Sequence, residues 1–195
     1  MAPSLTYDSA SFRYGRGRPV FESFSHEFRS GVLTWLKGAN GSGKTTLLRL
    51  GAGLLRVRTG SIASSERPCY VASNTSFHEQ LTLSEELLYL KSVAQVPLGT
   101  IETQLSRWGL SELDPEMEMD ELSTGWRQRL ALSLACAADR GIVLMDEPFA
   151  NLDADGARVL LEWLVRSASR GGVIVVAQHG ERELSGDIDV DVVSL

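Results

Sequence analysis

The octapeptide Gly38-Ala39-Asn40-Gly41-Ser42-Gly43-Lys44-Thr45 constrains the fold more than any other stretch of the chain. It lies between an apolar run, Val32 to Lys37, and a leucine-spaced segment, Lys44 to Leu55. Strand, glycine loop and helix, with the pattern G-x-x-x-x-G-K-[ST], is the order of a backbone wrapped around phosphate. The glycines let several N–H groups point inward where a Cβ would obstruct the anion. Lys44 is placed to neutralise β and γ phosphates, the helix start adds its dipole, and the Thr45 hydroxyl can ligate Mg²⁺. The competing reading, a glycine-rich turn, is disfavoured by the full match in the right context.

The rest of the chain supplies a sheet for that loop. Leu5 to Phe28, broken by Gly15, Gly17 and Pro19, suits small antiparallel strands joined by a turn. Ser61 to Ile62 and Cys69 to Ala72 read as two further short strands. Helices are expected over Thr82 to Gln95, Gly99 to Trp108 and Thr124 to Asp139, with a turn at Asp114 to Glu121. Ile142 to Met145 and Val173 to Ala177 are continuous apolar runs, as strands buried on both faces of a parallel sheet are, and Ala154 to Arg170 forms a helix between them. With 195 residues, 43% of them hydrophobic and 23% charged, this is one domain able to bury a core. The expected class is α/β: a mostly parallel core sheet, an N-terminal antiparallel β layer, and a helical lobe inserted at about residues 75–138 of a single 1–195 domain.

Ile142-Val143-Leu144-Met145-Asp146-Glu147-Pro148 ends an apolar strand in two carboxylates at the edge where α/β sheets bind ligands. Asp146 can hold the water shell of Mg²⁺, and Glu147 can orient and deprotonate an attacking water. Alone, such a pair is more often a helix cap or turn; beside a phosphate loop it reads as catalytic.

Leu122-Ser123-Thr124-Gly125, upstream of that strand, resembles the signature motif of ABC-type ATPases, a branch of the P-loop NTPases. Ala150-Asn151-Leu152-Asp153 resembles the family's D-loop, Gln178-His179 its switch histidine, and Tyr14 sits where the family stacks an aromatic ring on adenine. The resemblance covers essentially the whole chain, and its compactness is most similar to the nucleotide-binding subunits of haem exporters in cytochrome c maturation. It implies an ATPase with ATP and Mg²⁺ as ligands, in which Lys44, Glu147 and His179 are catalytic. Gly38 through Thr46, Tyr14, Ser123, Gly125 and Asp153 would contact nucleotide, and Thr45, Asp146 and Ser73 would attend the metal. It further implies head-to-tail pairing with a second ATPase subunit on ATP binding, and a separate integral membrane permease whose coupling helices are gripped by the lobe around Phe77 and Leu81 to Leu90.

Two positions depart from the pattern. Trp126 stands where the family has Gln, and its spacing with Leu130 and Leu134 favours packing on the buried face of the helix over an altered dimer contact. In Tyr70-Val71-Ala72-Ser73-Asn74, Ser73 or Asn74 replaces the Gln that reaches metal and water, which predicts slow basal turnover. Rival readings are a soluble ABC-type ATPase in assembly or repair, and a slow or regulatory ABC domain. The net charge of −6 gives no sign of a strongly basic nucleic-acid surface, so no nucleic-acid partner is expected, and no apolar run is long enough to span a bilayer. Two cysteines, Cys69 and Cys136, without a C-x-x-C or histidine cluster, fit packing in a cytoplasmic protein, and the resemblance implies peripheral attachment to the cytoplasmic membrane through the membrane subunit.

Overall fold

The computed structural model describes residues 2–72, 74–178 and 188–195. Strands β1 (Leu5–Arg13), β2 (Pro19–Phe28) and β4 (Thr59–Ser64) form an antiparallel sheet in the order β2-β1-β4. In β1 the alternation that buries Leu5 and Tyr7 restarts at Ala10 and Phe12. The shift is taken up at Ser9, whose φ of 48° marks an extra residue in the ladder.

A second sheet is parallel throughout: β3 (Val32–Lys37), β5 (Cys69–Val71), β6 (Ile142–Asp146), β7 (Val173–Ala177) and β8 (Asp189–Ser194), in the order β5-β6-β7-β3-β8. Every residue of β6 and β7 is buried, and successive side chains enter different cores. Ile142, Leu144, Val173 and Val175 join α1 (Lys44–Gly51) and the antiparallel sheet. Val143, Met145, Ile174 and Val176 join α4 (Thr124–Ala138) and α5 (Ala154–Ser169). The parallel sheet is thus covered on both sides, which is what lets its strands be apolar without alternation.

Helices α2 (Leu83–Ala94), α3 (Leu98–Arg107) and α4 occupy the stretch between β5 and β6. Thr82 and Glu85 form a reciprocal capping box that starts α2, and Gln95 ends it in a left-handed conformation. Met119–Glu121, inside the segment expected as a turn, is one turn of 3₁₀ helix. Helix α1 stops at Gly51, four residues short of the expected Leu55. Strand β8 lies beyond the last expected strand; its acidic Asp-Val alternation belongs to a sheet edge with one wet face. No helix among the described residues is long and apolar enough to cross a membrane.

Candidate functional site

The loop that follows β3 enters α1 through Gly43, whose φ is 108°. A Cβ there would stand 2.7 Å from Val20 Cγ1 in β2, so glycine is required by both conformation and space. Lys44, 6% exposed, folds back over the loop and donates from Nζ to the carbonyls of Gly38 at 2.7 Å and Ala39 at 3.0 Å. A buried ammonium satisfied by two backbone oxygens is a cation held ready for an anion in the same hollow. Ser42 Oγ, in the same loop, is buried without a hydrogen-bond partner.

One position further, Thr45 Oγ1 donates to Asp146 Oδ2 at 2.7 Å, joining the start of α1 to the end of β6. Asp146 is 4% exposed, and burial pushes its carboxyl above the ordinary range, opposed by the Thr45 hydrogen bond and reinforced by the neighbouring Glu147 charge. Glu147 has left the strand with φ at 49°, while its N–H stays tied to the Ala177 carbonyl at 2.7 Å. A non-glycine residue held there is strained, and the tie to β7 is part of what holds it.

Tyr14 closes the other side. Half-exposed, it packs edge-on against Phe12, with its hydroxyl 3.1 Å from Thr46 Oγ1. Tyr14, Val20, Asn40, Gly41, Gly43, Lys44, Thr45, Thr46 and Glu147 line one cleft of about 380 Å³. The structure therefore brings together the phosphate loop, Tyr14, Asp146 and Glu147. Oxygen donors at Thr45 and Asp146, a buried ammonium and an orphaned Ser42 hydroxyl suit a phosphate chain with a hard divalent cation.

The signature residues stand apart, around a second cleft of about 510 Å³ that includes Asn74, Phe77, Glu79, Ser123, Arg127 and Asn151. Ser123 is the N-cap of α4 and accepts from the Trp126 N–H at 3.3 Å. A Cβ at Gly125 would lie 3.1 Å from the Asn151 carbonyl, so the signature turn rests on the D-loop. Asp153 is the N-cap of α5, accepting from the Gly156 N–H at 2.9 Å, and its carboxylate is also gripped by Arg129. Those bonds, the Gly156 N–H first, hold its carboxyl below the ordinary range. Ser73 and His179 lie outside the described residues.

The sequence patterns missed Val20, which only the fold brings to the phosphate loop, and Gln128, 4% exposed, whose amide donates to the Pro148 carbonyl at 3.1 Å. The second tie joins the signature helix to the backbone just past Glu147; a buried amide among leucines and alanines is the signal that could have found it.

The family model described as ABC transporter matches residues 21–150, two thirds of the chain. The cytochrome c biogenesis ATP-binding export protein CcmA of Bordetella bronchiseptica is 35% identical over 86% of this chain and 79% of its own length. Its namesake in Albidiferax ferrireducens is 27% identical over 93% of this chain and 92% of its own. Among solved structures, a dimeric ATP-binding cassette in a post-hydrolysis state with ADP and phosphate shares the fold, with a TM-score of 0.77 at 19% identity over 90% of this chain and 88% of that one. The phosphate loop, the strand-end carboxylates and the family match converge: the chain belongs to the ABC transporter family and is one of its ATP-binding, ATP-hydrolysing subunits.

Proposed function

We propose that two copies of this subunit close on ATP in a head-to-tail pair and drive a separate integral membrane permease, to which they attach peripherally from the cytoplasm. Within one copy the cleft between Tyr14 and Glu147 takes the nucleotide, Tyr14 against the adenine and residues 38–46 around the phosphates. Lys44 exchanges its two loop carbonyls for β and γ phosphate oxygens as substrate enters. Thr45 and Asp146, with Ser73, would hold Mg²⁺, which would supply charge neutralisation for the phosphate chain. Glu147 accepts a proton as the water oxygen attacks the γ phosphorus and the bond to the β-phosphate oxygen breaks, giving ADP and phosphate. His179 donates to the γ phosphate.

Ser123 and Gly125, at the N-terminus of α4, would cap the γ phosphate held by the opposite copy, with Asp153 beside it. Loss of that phosphate removes the bridge and opens the pair, which turns hydrolysis into motion. The observation that carries the reading is the hydrogen bond to Asp146 from Thr45, which lines one cleft with Lys44 and Glu147. Replacement of the usual Gln by Ser73 or Asn74 supports a slow basal rate, well below tens per second.

The test is Glu147→Gln. It should bind ATP without cleaving it and elute as a dimer from a sizing column in ATP; a monomer at saturating ATP defeats the self-paired sandwich. The similarity to cytochrome c biogenesis export proteins supports the haem-export branch as the transport system served. Gentle solubilisation and mass spectrometry should find a polytopic membrane protein with the tagged chain, and deletion should lower holo-cytochrome c. Recovery of soluble partners alone would favour an assembly or repair ATPase.

A further inference from the structure

Arg129, in the second turn of α4, meets the end of α3, the start of α5 and the Trp126 ring of its own helix. Its Nη1 donates to the carbonyl of Trp108, the residue that caps the end of α3, at 2.9 Å. Its Nη2 meets both carboxylate oxygens of Asp153, the N-cap of α5. Its guanidinium carbon lies 5.2 Å from the centroid of the Trp126 ring, within the range of a cation–π contact. The arginine side chain is only 16% exposed although Asp153 is 62% exposed, so the cation is largely out of water while its partner is not.

An ion pair with one exposed member contributes little when the cation is free to swing away. The indole changes that. Trp126 packs against the core that α4 and α5 share and also lies against the guanidinium, which favours the orientation in which the arginine reaches Trp108 and Asp153 together. Trp126 immediately follows Gly125, where an added Cβ would stand 3.1 Å from the carbonyl of Asn151, two residues before Asp153. The signature turn and the start of α5 therefore run close together at Gly125 and are joined through Trp126 and Arg129.

We propose that Trp126 is a positioning residue for the ATPase reaction: it clamps Arg129 onto Asp153, so that the signature turn, the end of α3 and the N-terminus of α5 move as one body. The proposal rests on the nucleotide roles assigned above to Ser123, Gly125 and Asp153.

Steady-state ATP hydrolysis by the whole chain tests it with Trp126→Ala, Trp126→Phe, Asp153→Asn and the Trp126→Ala/Asp153→Asn pair. Trp126→Ala should lower kcat about tenfold with KM within about twofold, the size a partly desolvated cation–π contact supports. Trp126→Phe, which keeps an aromatic face, should recover most of that loss. In the Asp153→Asn background Trp126→Ala should add less than about twofold, because the clasp is already open. Independent, multiplying losses, or a phenylalanine no better than alanine, would overturn the proposal. Should Trp126→Ala not fold, Arg129→Lys decides: it keeps the charge but not the planar fork and should reproduce the kcat loss, and wild-type kinetics would overturn the clasp. A Glu147→Gln variant that stays monomeric in ATP counts against the paired-subunit reading, while the kinetic cycle still decides the clasp.

Discussion

Thr45 and Asp146, 101 positions apart, meet through a 2.7 Å hydrogen bond at the place where α1 begins and β6 ends. Each arrives by a different route. Thr45 is set by the first turn of a helix whose Leu47, Leu48 and Leu50 are buried under the sheet, and Asp146 by a strand buried along its whole length. The bond orients a carboxylate whose charge burial disfavours, and so ties its oxygens to the phosphate loop.

That tension predicts opposite effects on activity and stability for Asp146→Asn. Burial raises the Asp146 pKa in the folded chain, so the folded form binds a proton more tightly than the unfolded one. The ionised carboxylate at neutral pH therefore opposes folding. A neutral amide of the same shape can still accept from Thr45 and no longer faces the Glu147 charge. Asp146→Asn should abolish ATP hydrolysis, by roughly a hundredfold or more, as loss of a transition-state electrostatic group does. Its nucleotide-free melting temperature at pH 7 should rise by about 2–4 °C for each kcal/mol of relief, read by calorimetry.

A second pair supports the same helix from below. The Tyr7 hydroxyl donates to the Leu47 carbonyl at 2.8 Å in the buried region where α1 stops, and burial pushes its pKa far up. A Cβ on Gly51 would collide with that hydroxyl and lie 3.2 Å from Leu144 Cδ1. Tyr7→Phe should cost about 1–2 kcal/mol, the loss of one buried hydrogen bond. Gly51→Ala should cost more, and Tyr7→Phe/Gly51→Ala should be more stable than Gly51→Ala alone, since removing the oxygen vacates the clash. Thermal melts of the three variants check this.

Tyr7 also shows why part of the architecture was hidden from the sequence. Leu47, Leu48, Leu50, Leu54 and Leu55 continue a helical pattern, yet the helix ends at Gly51, where a tyrosine from β1 comes up underneath. Only the fold knows that. Strand β8 was hidden for the opposite reason: Asp189 and Asp191 mark a wet edge, and nothing local says that Val190, Val192 and Val193 pair with β3. What was legible was whatever local chemistry dictates: the glycine loop, the two all-apolar strands and the carboxylates at the end of one of them. Trp126 was legible by halves. Its spacing with Leu130 and Leu134 predicts packing against the helix core, which the structure has, but the arginine one turn on that stacks upon it could not be paired with Asp153 from spacing alone.

Asp153 gives a pH signature. Its carboxyl is held below its ordinary value by the Gly156 N–H and Arg129, so its stabilising contribution is present above the unfolded value of 3.8 and is lost as pH falls through the folded one. Asparagine keeps the N-cap but not the charge. The melting-temperature gap between the natural chain and Asp153→Asn should be full at pH 6–7 and should close as pH falls below about 4, with added salt narrowing it at neutral pH. The gap should be small, since this carboxylate is exposed. A gap that widens in acid would show that the contact is not an ion pair.

Ser123 separates the two duties of the signature turn. Its hydroxyl caps α4, a duty worth about 1 kcal/mol when serine becomes alanine. Its proposed second duty is to receive the γ phosphate of the opposite copy, which a negative charge would repel. Ser123→Ala should therefore melt about 2–4 °C lower and form the ATP-dependent dimer only at higher ATP. Ser123→Asp should keep its stability, because aspartate caps as well as serine and favours a helix N-terminus, yet fail to dimerise in the Glu147→Gln background. Sizing chromatography alongside thermal melts reads both. A Ser123→Asp chain that dimerises normally would leave Ser123 as a cap alone and would move the γ-phosphate contact to Gly125 and the free N–H groups of the first turn of α4.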